Sequence, residues 1–293
     1  MANFKGVFTA LLTPFTADGK VNEKALERLI ERNIKAGVNG FYCNGSTAEV
    51  FMMTNEQRKA LMQTIYDINK GRVTLIAHVG AVSTDECVDL AKCAYNIGYD
   101  AVSAVTPFYY KFGYDEIVSH YNAIASATPL KCIVYNIPAL TGVSFSAKQL
   151  GDLIAGDNFL GVKNTALDCF LMENLKSHNP DKVIYNGYDE MFLSGLAVGC
   201  DGGIGSTYNL MAEKYVEIQK LFNEGKMKEA LAVQHICNEI IADLCSVGCM
   251  AGEKAVLNLL GYDFGECRKP GKSCTKEDYA FLERKVMPYI LAD

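Results

Sequence analysis

The sequence has no cluster of lysine and arginine residues, and acidic residues outnumber basic ones. Lys and Arg total 28 and Asp and Glu total 34 among 293 residues, so the formal net charge is −6. Proteins that bind nucleic acid usually carry a concentrated basic patch. The charge balance therefore argues against nucleic acid as a partner.

Long uncharged runs are also absent. The longest stretch without Asp, Glu, Lys or Arg covers 132–147, which is shorter than the roughly 18 residues that a membrane-spanning helix requires. Residues 7–12 follow Lys5 like a short signal sequence, but Pro14 and Asp18 come directly after them, which argues against export. We therefore expect no membrane partner and a cytoplasmic location.

No Cys-x-x-Cys pair occurs among the 11 cysteines. The nearest metal-like fragments are Cys245-x-x-x-Cys249 and His235-x-Cys237, and neither has a second ligand pair at zinc-finger spacing. Most of the cysteines lie in apolar stretches, where a free thiol behaves as a small hydrophobic group. We predict reduced thiols in a cytosolic protein, with neither disulfides nor a metal site.

The chain does contain a regular alternation of short apolar runs and amphipathic helical patterns. Capping boxes at Thr54-x-x-Gln57 and Ser83-x-x-Glu86 each precede an apolar stripe that ends at a glycine. Eight strand-and-helix units within about 225 residues are typical of a (β/α)8 barrel. The predicted strands cover residues 7–14, 40–44, 73–79, 101–106, 131–136, 160–163, 183–186 and 202–205, and the helix predicted after the last strand covers 212–223.

After the eighth unit the pattern indicates helices at 228–245, 253–260 and 275–291, and no linker rich in Pro, Gly or Ser precedes them. We therefore predict an α/β fold, a (β/α)8 TIM barrel of residues 1–225 with a C-terminal helical extension of residues 226–293 packed on it as one structural unit. A doubly wound sheet would need a reversal of strand order, which the sequence does not show.

Polar residues collect where the predicted strands end, which is where barrels of this kind hold their chemistry. Five of the eight strand ends carry hydroxyl, amine, phenol or carboxylate groups. These segments are Gly45-Ser46-Thr47-Ala48-Glu49, Tyr135-Asn136-Ile137-Pro138, Lys163-Asn164-Thr165, Gly187-Tyr188-Asp189-Glu190 and Gly205-Ser206-Thr207. A functional site at this end of the barrel is therefore expected.

Lys163 is the most informative of these residues, because the rest of its strand, 160–162, is apolar or glycine. A buried lysine without a partner is unfavourable. The amine could pair with a carboxylate, reach water at the barrel mouth, or have a lowered pKa that lets it attack a carbonyl carbon and form a Schiff base. Tyr135, one strand away, is either a core aromatic or a proton shuttle. The residues alone leave these alternatives open.

Two glycine-containing loops suit a small ligand. Gly45-Ser46-Thr47 would cradle a carboxylate with its hydroxyls and N–H groups, although a plain turn into a helix has the same composition. Gly205-Ser206-Thr207 is followed by no Lys or Arg until Lys214. A neutral hydroxylated ligand therefore suits this second loop better than a phosphate does.

These motifs together resemble the family of pyruvate-dependent aldolases and lyases that includes N-acetylneuraminate lyases and dihydrodipicolinate synthases. The resemblance covers the whole chain. It rests on Gly45-Ser46-Thr47, Tyr135-Asn136-Ile137-Pro138 and Gly161-Val162-Lys163, which occur in this order, each on its expected strand. It implies a homotetrameric enzyme that acts on small molecules through a Schiff base on Lys163, with no metal or dissociable cofactor.

Within that family, the side chains resemble the sialic acid branch. The synthases typically have an arginine where this chain has Leu140, and Gly-Thr-Thr where it has Gly45-Ser46-Thr47. One departure from the family pattern is Ala48, at the place of a usual glycine. The resemblance implies reversible retro-aldol cleavage of N-acetylneuraminate to N-acetylmannosamine and pyruvate. The alternatives are a 2-keto-3-deoxy sugar acid aldolase, a dihydrodipicolinate synthase, or a non-catalytic sugar-acid sensor.

The resemblance also assigns roles to individual residues. Lys163 is the expected nucleophile and Tyr135 the expected proton-transfer group. In the family, a tyrosine after the fourth strand enters the neighbouring subunit's site; Tyr110 is the candidate, and Tyr109 is adjacent. Ser46 and Thr47 are expected to hold the substrate carboxylate, and Thr165, Gly187, Asp189, Glu190 and Ser206 to position the sugar.

Overall fold

Eight parallel strands form a closed barrel in the computed structural model, which describes residues 2–290. The strands are β1 Gly6–Ala10, β2 Gly40–Cys43, β3 Thr74–His78, β4 Ala101–Val105, β5 Cys132–Asn136, β6 Phe159–Asn164, β7 Val183–Asn186 and β8 Gly202–Gly205. Each strand pairs with the next in the chain, and β8 pairs with β1 to close the barrel. The predicted (β/α)8 fold is confirmed.

Helices connect the strands and continue after the last one. They are α1 Glu23–Ala36, α2 Asn55–Asn69, α3 Thr84–Ile97, α4 Tyr114–Ser126, α5 Pro138–Thr141, α6 Ala147–Ile154, α7 Cys169–His178, α8 Phe192–Ala197, α9 Tyr208–Asn223, α10 Met227–Val247, α11 Cys249–Leu259, α12 Lys276–Lys285 and α13 Met287–Ile290. The predicted helices at 212–223 and 253–260 begin earlier than expected, and residue 291 of the last one lies outside the described residues.

Local sequence signals fix several helix ends. The hydroxyl of Thr54 accepts from the backbone N–H of Gln57, whose side chain returns a hydrogen bond, so α2 begins with the predicted capping box. The side chain of Ser83 caps α3, which ends at Gly98. Of the capping box predicted there, only this half forms, because the Glu86 carboxylate accepts from the Ser83 hydroxyl. Gly98 has a φ of 111°, a conformation that glycine adopts without steric cost.

Strand register aligns three polar residues on neighbouring strands of the barrel. Tyr135 of β5 pairs with Lys163 of β6, which pairs with Tyr185 of β7. Because successive side chains alternate between the two faces of a strand, these three point the same way, into the barrel. Apolar side chains such as Phe8 and Ile133 share this interior with them.

The helices after the barrel bury apolar residues in the same core as the barrel's outer face. By length and composition alone, α10 could cross a membrane, with 21 residues and a hydropathy of 1.2. In this fold its Cys237, Ile240 and Leu244 are buried in that core. The predicted division into residues 1–225 and 226–293 stays a prediction, and Met1 and 291–293 lie outside the described residues.

Candidate active site

A cavity of about 350 Å³ opens at the carboxyl end of the barrel strands. It brings together residues from β5, β6, the loops after β2, β7 and β8, and the helices α10 and α11. The predicted site residues that line it are Ser46, Thr47, Tyr135, Lys163, Thr165, Gly187, Asp189, Glu190 and Ser206. Tyr110 is the predicted site residue that does not line this cavity.

Lys163 lies at the base of the cavity and is only 4% exposed. Its Nζ lies 4.4 Å from the ring centre of Tyr42 and 4.2 Å from that of Tyr135. Within residues 2–290 it forms no salt bridge, so the ion-pair alternative does not apply there. Burial lowers the pKa of the amine to about 7, against the opposing effect of the nearby Asp189 carboxylate. Much of the lysine is therefore an uncharged nucleophile near neutral pH.

Tyr135 supplies a buried phenol beside this amine. Burial raises its pKa to about 12, against the lowering effect of the neighbouring hydroxyls of Thr165 and Ser46. The phenol is therefore protonated at neutral pH. Flanked by hydroxyls, it is placed to pass a proton to or from a group that reacts at Lys163.

Tyr42 and His78, which the sequence analysis did not single out, support the reacting pair. The Tyr42 hydroxyl donates to Ser103 Oγ at 3.0 Å. Burial lowers the pKa of His78 to about 3, so the ring is neutral. Its Nε2 accepts from the backbone N–H of Val105 at 3.2 Å, which leaves the proton on Nδ1 for the carbonyl of Asn44 at 2.9 Å. The ring is thereby fixed edge-on against Tyr135, at 6.0 Å between centres.

The loop after β2 forms a 3₁₀ turn, Ser46–Ala48. Ala48 does not need positive φ; Glu49 takes the left-handed conformation instead, with φ 62°. The methyl group of Ala48 is therefore accommodated without strain. The buried Glu49 carboxylate is held from two sides, by Lys254 Nζ at 2.5 Å and by the backbone N–H of Arg268 at 2.6 Å.

Asp189 presents a buried carboxylate on the opposite side of the cavity. Its Oδ2 accepts from the backbone N–H of Thr207 at 2.8 Å and from the Thr207 hydroxyl at 2.7 Å. Burial raises its pKa to about 6, although these two hydrogen bonds oppose the rise. Gly205 makes room for it, since a Cβ there would lie 2.1 Å from Asp189 Oδ1.

Two further contacts shape the wall after β7. Gly187 is required beside Thr165, because a Cβ at this position would lie 2.0 Å from Thr165 Oγ1. The backbone carbonyl of Asp189 accepts from Gln234 at 3.1 Å, and that of Glu190 from Asn238 at 3.3 Å. Helix α10 therefore holds both acidic residues in place.

Tyr109 and Tyr110 lie in the loop after β4, and their side chains are 86% and 62% exposed. Neither lines the cavity of its own chain. Tyr109 has a φ of 81°, which is strained for a bulky side chain and is characteristic of functional positions. The two aromatic rings are 5.1 Å apart.

The helices after the barrel also contribute to the cavity, which the sequence does not indicate. Ile241 and Cys245 of α10 and Cys249 and Met250 of α11 line it. The four-residue spacing of Ile241 and Cys245 indicates a shared helix face. Nothing in the sequence shows that this face covers the barrel mouth, because that depends on tertiary packing.

The site can hold a small polar molecule and form a covalent bond to it. Within residues 2–290 no three His, Cys, Asp or Glu side chains converge as a possible metal site. The reactive elements are a buried amine with a lowered pKa and an adjacent phenol. Around them lie hydroxyls and carboxylates that suit a hydroxylated keto acid.

Comparisons with known proteins agree with this geometry. The model of the dihydrodipicolinate synthetase family matches residues 3–287. N-acetylneuraminate lyase of Pasteurella multocida (strain Pm70) is 43% identical over 292 residues, which cover 99% of this chain and 100% of that protein. The crystal structure of CdNal from Clostridium difficile in complex with mannosamine superposes with a TM-score of 0.96 at 40% identity, covering 98% of this chain and 100% of that one. The crystal structure of N-acetylneuraminate lyase from Fusobacterium nucleatum complexed with pyruvate superposes with a TM-score of 0.92 at 40% identity, covering 97% of each chain.

Proposed function

The chain belongs to the dihydrodipicolinate synthetase family, and from that premise we propose that it is a carbon–carbon lyase that cleaves N-acetylneuraminate reversibly to N-acetylmannosamine and pyruvate. The observation that carries this proposal is the buried amine of Lys163, with a pKa near 7, beside the Tyr135 phenol in a polar cavity. The curated relatives named N-acetylneuraminate lyase support the choice of substrate.

The reaction begins when the uncharged Lys163 amine attacks C2 of the open-chain keto sugar and water leaves, which forms an iminium ion. The C3–C4 bond then breaks as the C4 hydroxyl loses its proton, and the electron pair passes to the iminium nitrogen. N-acetylmannosamine leaves as the aldehyde. The enamine that remains gains a proton at C3, and hydrolysis releases pyruvate and regenerates the amine.

Tyr135 transfers the proton in the cleavage step. Because its pKa is about 12, no standing phenolate is present to act as a base at neutral pH. The phenol therefore relays the proton between the C4 hydroxyl and the substrate carboxylate, accepting from one and donating to the other. Ser46, whose hydroxyl faces the phenol, and Thr47 hold that carboxylate.

The polyol part of the substrate lies along Asp189, Glu190 and Ser206 in this proposal. Two adjacent carboxyl groups accept hydrogen bonds from hydroxyls and repel an anionic second substrate. Thr165 and Gly187 complete this wall. The exposed Leu140 offers no cation for a second carboxylate, which disfavours the reaction of dihydrodipicolinate synthase.

We further propose that the enzyme is a homotetramer in the cytoplasm and needs no dissociable cofactor. The exposed tyrosines after β4 would enter the site of a neighbouring subunit. The positive φ of Tyr109 favours this residue over Tyr110. The 11 cysteines are all free thiols, which agrees with a reducing compartment.

The test is pyruvate release from N-acetylneuraminate, measured by coupling to NADH oxidation with lactate dehydrogenase. We expect turnover by the wild type and none by Lys163→Ala, while Lys220→Ala, an exposed lysine on α9, keeps full activity. Borohydride should trap pyruvate on the wild type and not on Lys163→Ala. If borohydride traps pyruvate but no pyruvate is released from N-acetylneuraminate, the proposed substrate is wrong and the Schiff base on Lys163 still stands. In that case 2-keto-3-deoxy sugar acids would be assayed as substrates.

A further inference from the structure

Glu253 of α11 lies directly behind the sugar-binding wall and is fully buried. Its Oε1 accepts from the Ser206 hydroxyl at 2.8 Å and from the Cys249 thiol at 3.4 Å. Ser206 and Cys249 both line the cavity, whereas Glu253 does not. Glu253 can therefore influence a ligand in the cavity only through the residues that line it.

No cation compensates this acid. The adjacent Lys254 pairs with Glu49 instead, and in the described part of the chain Glu253 forms no salt bridge. Its Oε2 is buried without a hydrogen-bond partner. Burial raises its pKa to about 8, and the Asp189 carboxylate adds to the rise although the Ser206 hydrogen bond opposes it. Glu253 is therefore mainly a neutral acid at pH 7. Because Ser206 and Cys249 both donate to Oε1, the proton of this acid lies on Oε2, and Oε1 stays an acceptor.

Such a group does not improve the packing of the fold. A buried polar atom without a partner costs free energy, and an apolar side chain of similar size would avoid that cost. The hydrogen bonds that Glu253 does make lead only toward the cavity wall. Residues that lower stability in this way are often retained where they serve a site.

We propose that Glu253 is a positioning residue that fixes the hydroxyl of Ser206 as a hydrogen-bond acceptor and so selects a sugar tail with a free hydroxyl at that point. A serine hydroxyl has one proton to donate, and here that proton is directed to Glu253 Oε1. The oxygen can then only accept from a ligand. This inference rests on the proposed function and adds a helix outside the barrel to its substrate recognition.

The test compares Glu253→Leu with Glu253→Gln. The leucine variant removes the acceptor and lets the Ser206 hydroxyl rotate, so KM for N-acetylneuraminate should rise about three- to tenfold, the effect of one hydrogen bond, with kcat within about twofold. The glutamine variant keeps an acceptor and should restore KM to within about twofold of the wild type. The matched controls are Glu239→Leu and Glu239→Gln, at an exposed position on α10, which should not change KM.

A double-mutant cycle identifies the route of the effect. If Glu253 acts through Ser206, Ser206→Ala should raise KM to a similar extent, and Glu253→Leu should add nothing to it. Borohydride trapping of pyruvate on Lys163 should be retained in all of these variants. An unchanged KM in Glu253→Leu, or fully additive effects of the two substitutions, would overturn the inference while wild-type turnover upholds the proposed function.

A second measurement begins with the wild type and changes the substrate instead of Glu253. In N-acetylneuraminate analogues, a tail hydroxyl is replaced by fluorine, which cannot donate a hydrogen bond. One analogue should show a raised KM with the wild type, and Ser206→Ala should abolish that difference. If fluorine is tolerated at every tail position, Ser206 does not act as an acceptor and the inference fails. A wild type without turnover of N-acetylneuraminate would refute the proposed function, and this inference with it.

Discussion

Burial lowers the pKa of the Lys163 amine, and the same burial should make the folded protein less stable. Its pKa is about 7 in place of 10.5, so the unfolded chain binds a proton more readily than the folded chain does. Each unit of pKa is worth about 1.4 kcal/mol. The cost to the fold is therefore absent above pH 10.5, grows as the pH falls, and reaches at most about 5 kcal/mol below pH 7.

Lys163→Met removes the charge and keeps the length of the side chain. We expect this variant to be inactive and, below pH 7, more stable than the wild type by about 2–5 kcal/mol. The lower figure applies if contacts of the ammonium ion with the rings of Tyr42 and Tyr135, at 4.4 and 4.2 Å, offset part of the cost. The difference between the two proteins should shrink steadily as the pH rises from 7 toward 10.5.

The assay is urea unfolding of both proteins at pH 6, 8 and 10. Protein concentration is held constant, because the proposed subunit association would make stability depend on it. Lys220→Met, at an exposed position, controls for the loss of a lysine and should leave stability nearly unchanged at each pH. Two results would refute the claim that the buried Lys163 amine destabilises the fold. One is a Lys163→Met protein that is no more stable than the wild type at pH 6, and the other is a stability difference that does not vary with pH.

Other substitutions test neighbouring parts of the site. Tyr135→Phe should lower kcat by about 10²–10⁴-fold while borohydride still traps pyruvate; near-normal turnover would show that the phenol does not carry the proton. Lys254→Met should destabilise the protein by about 3–5 kcal/mol in urea unfolding, because it leaves the Glu49 carboxylate buried without its cation; unchanged stability would contradict this. Gly205→Ala places a methyl group 2.1 Å from Asp189 Oδ1, so pyruvate release from N-acetylneuraminate should fall more than tenfold with trapping of pyruvate retained. Equal loss of both activities would mean that Asp189 supports the lysine rather than the sugar.

The barrel could be predicted from the sequence because each unit carries its own local signals. Thr54 and Ser83 cap helices as their spacing indicates, and the apolar runs form the eight strands. The residues at the strand ends meet for a related reason, since parallel strands bring their carboxyl ends to one rim. The pattern predicts that α9 begins at residue 212, whereas it begins at Tyr208, because the helix continues through the non-helical conformation of Met211 (φ −130°, ψ 30°).

Other parts of the site depend on tertiary contacts between residues far apart in the sequence. Glu253 and Ser206 are separated by 47 positions and meet only because α11 packs beside the loop after β8. His78 is the last residue of β3, and Tyr42 is the second-to-last residue of β2. Their contribution follows from which face of the strand points inward, and a run of consecutive buried residues does not reveal that in sequence.

The anchoring of Glu49 has a consequence for protein engineering by segment exchange. The loop after β2, which we propose binds the substrate carboxylate, comes from the second of the eight repeats. Both groups that hold its glutamate, Lys254 and Arg268, come from the last quarter of the chain. A chimera joined near residue 225 would therefore inherit the loop from one parent and its anchors from the other. Such hybrids should retain pyruvate binding only when both parents keep an acid at 49 with a matching cation at 254.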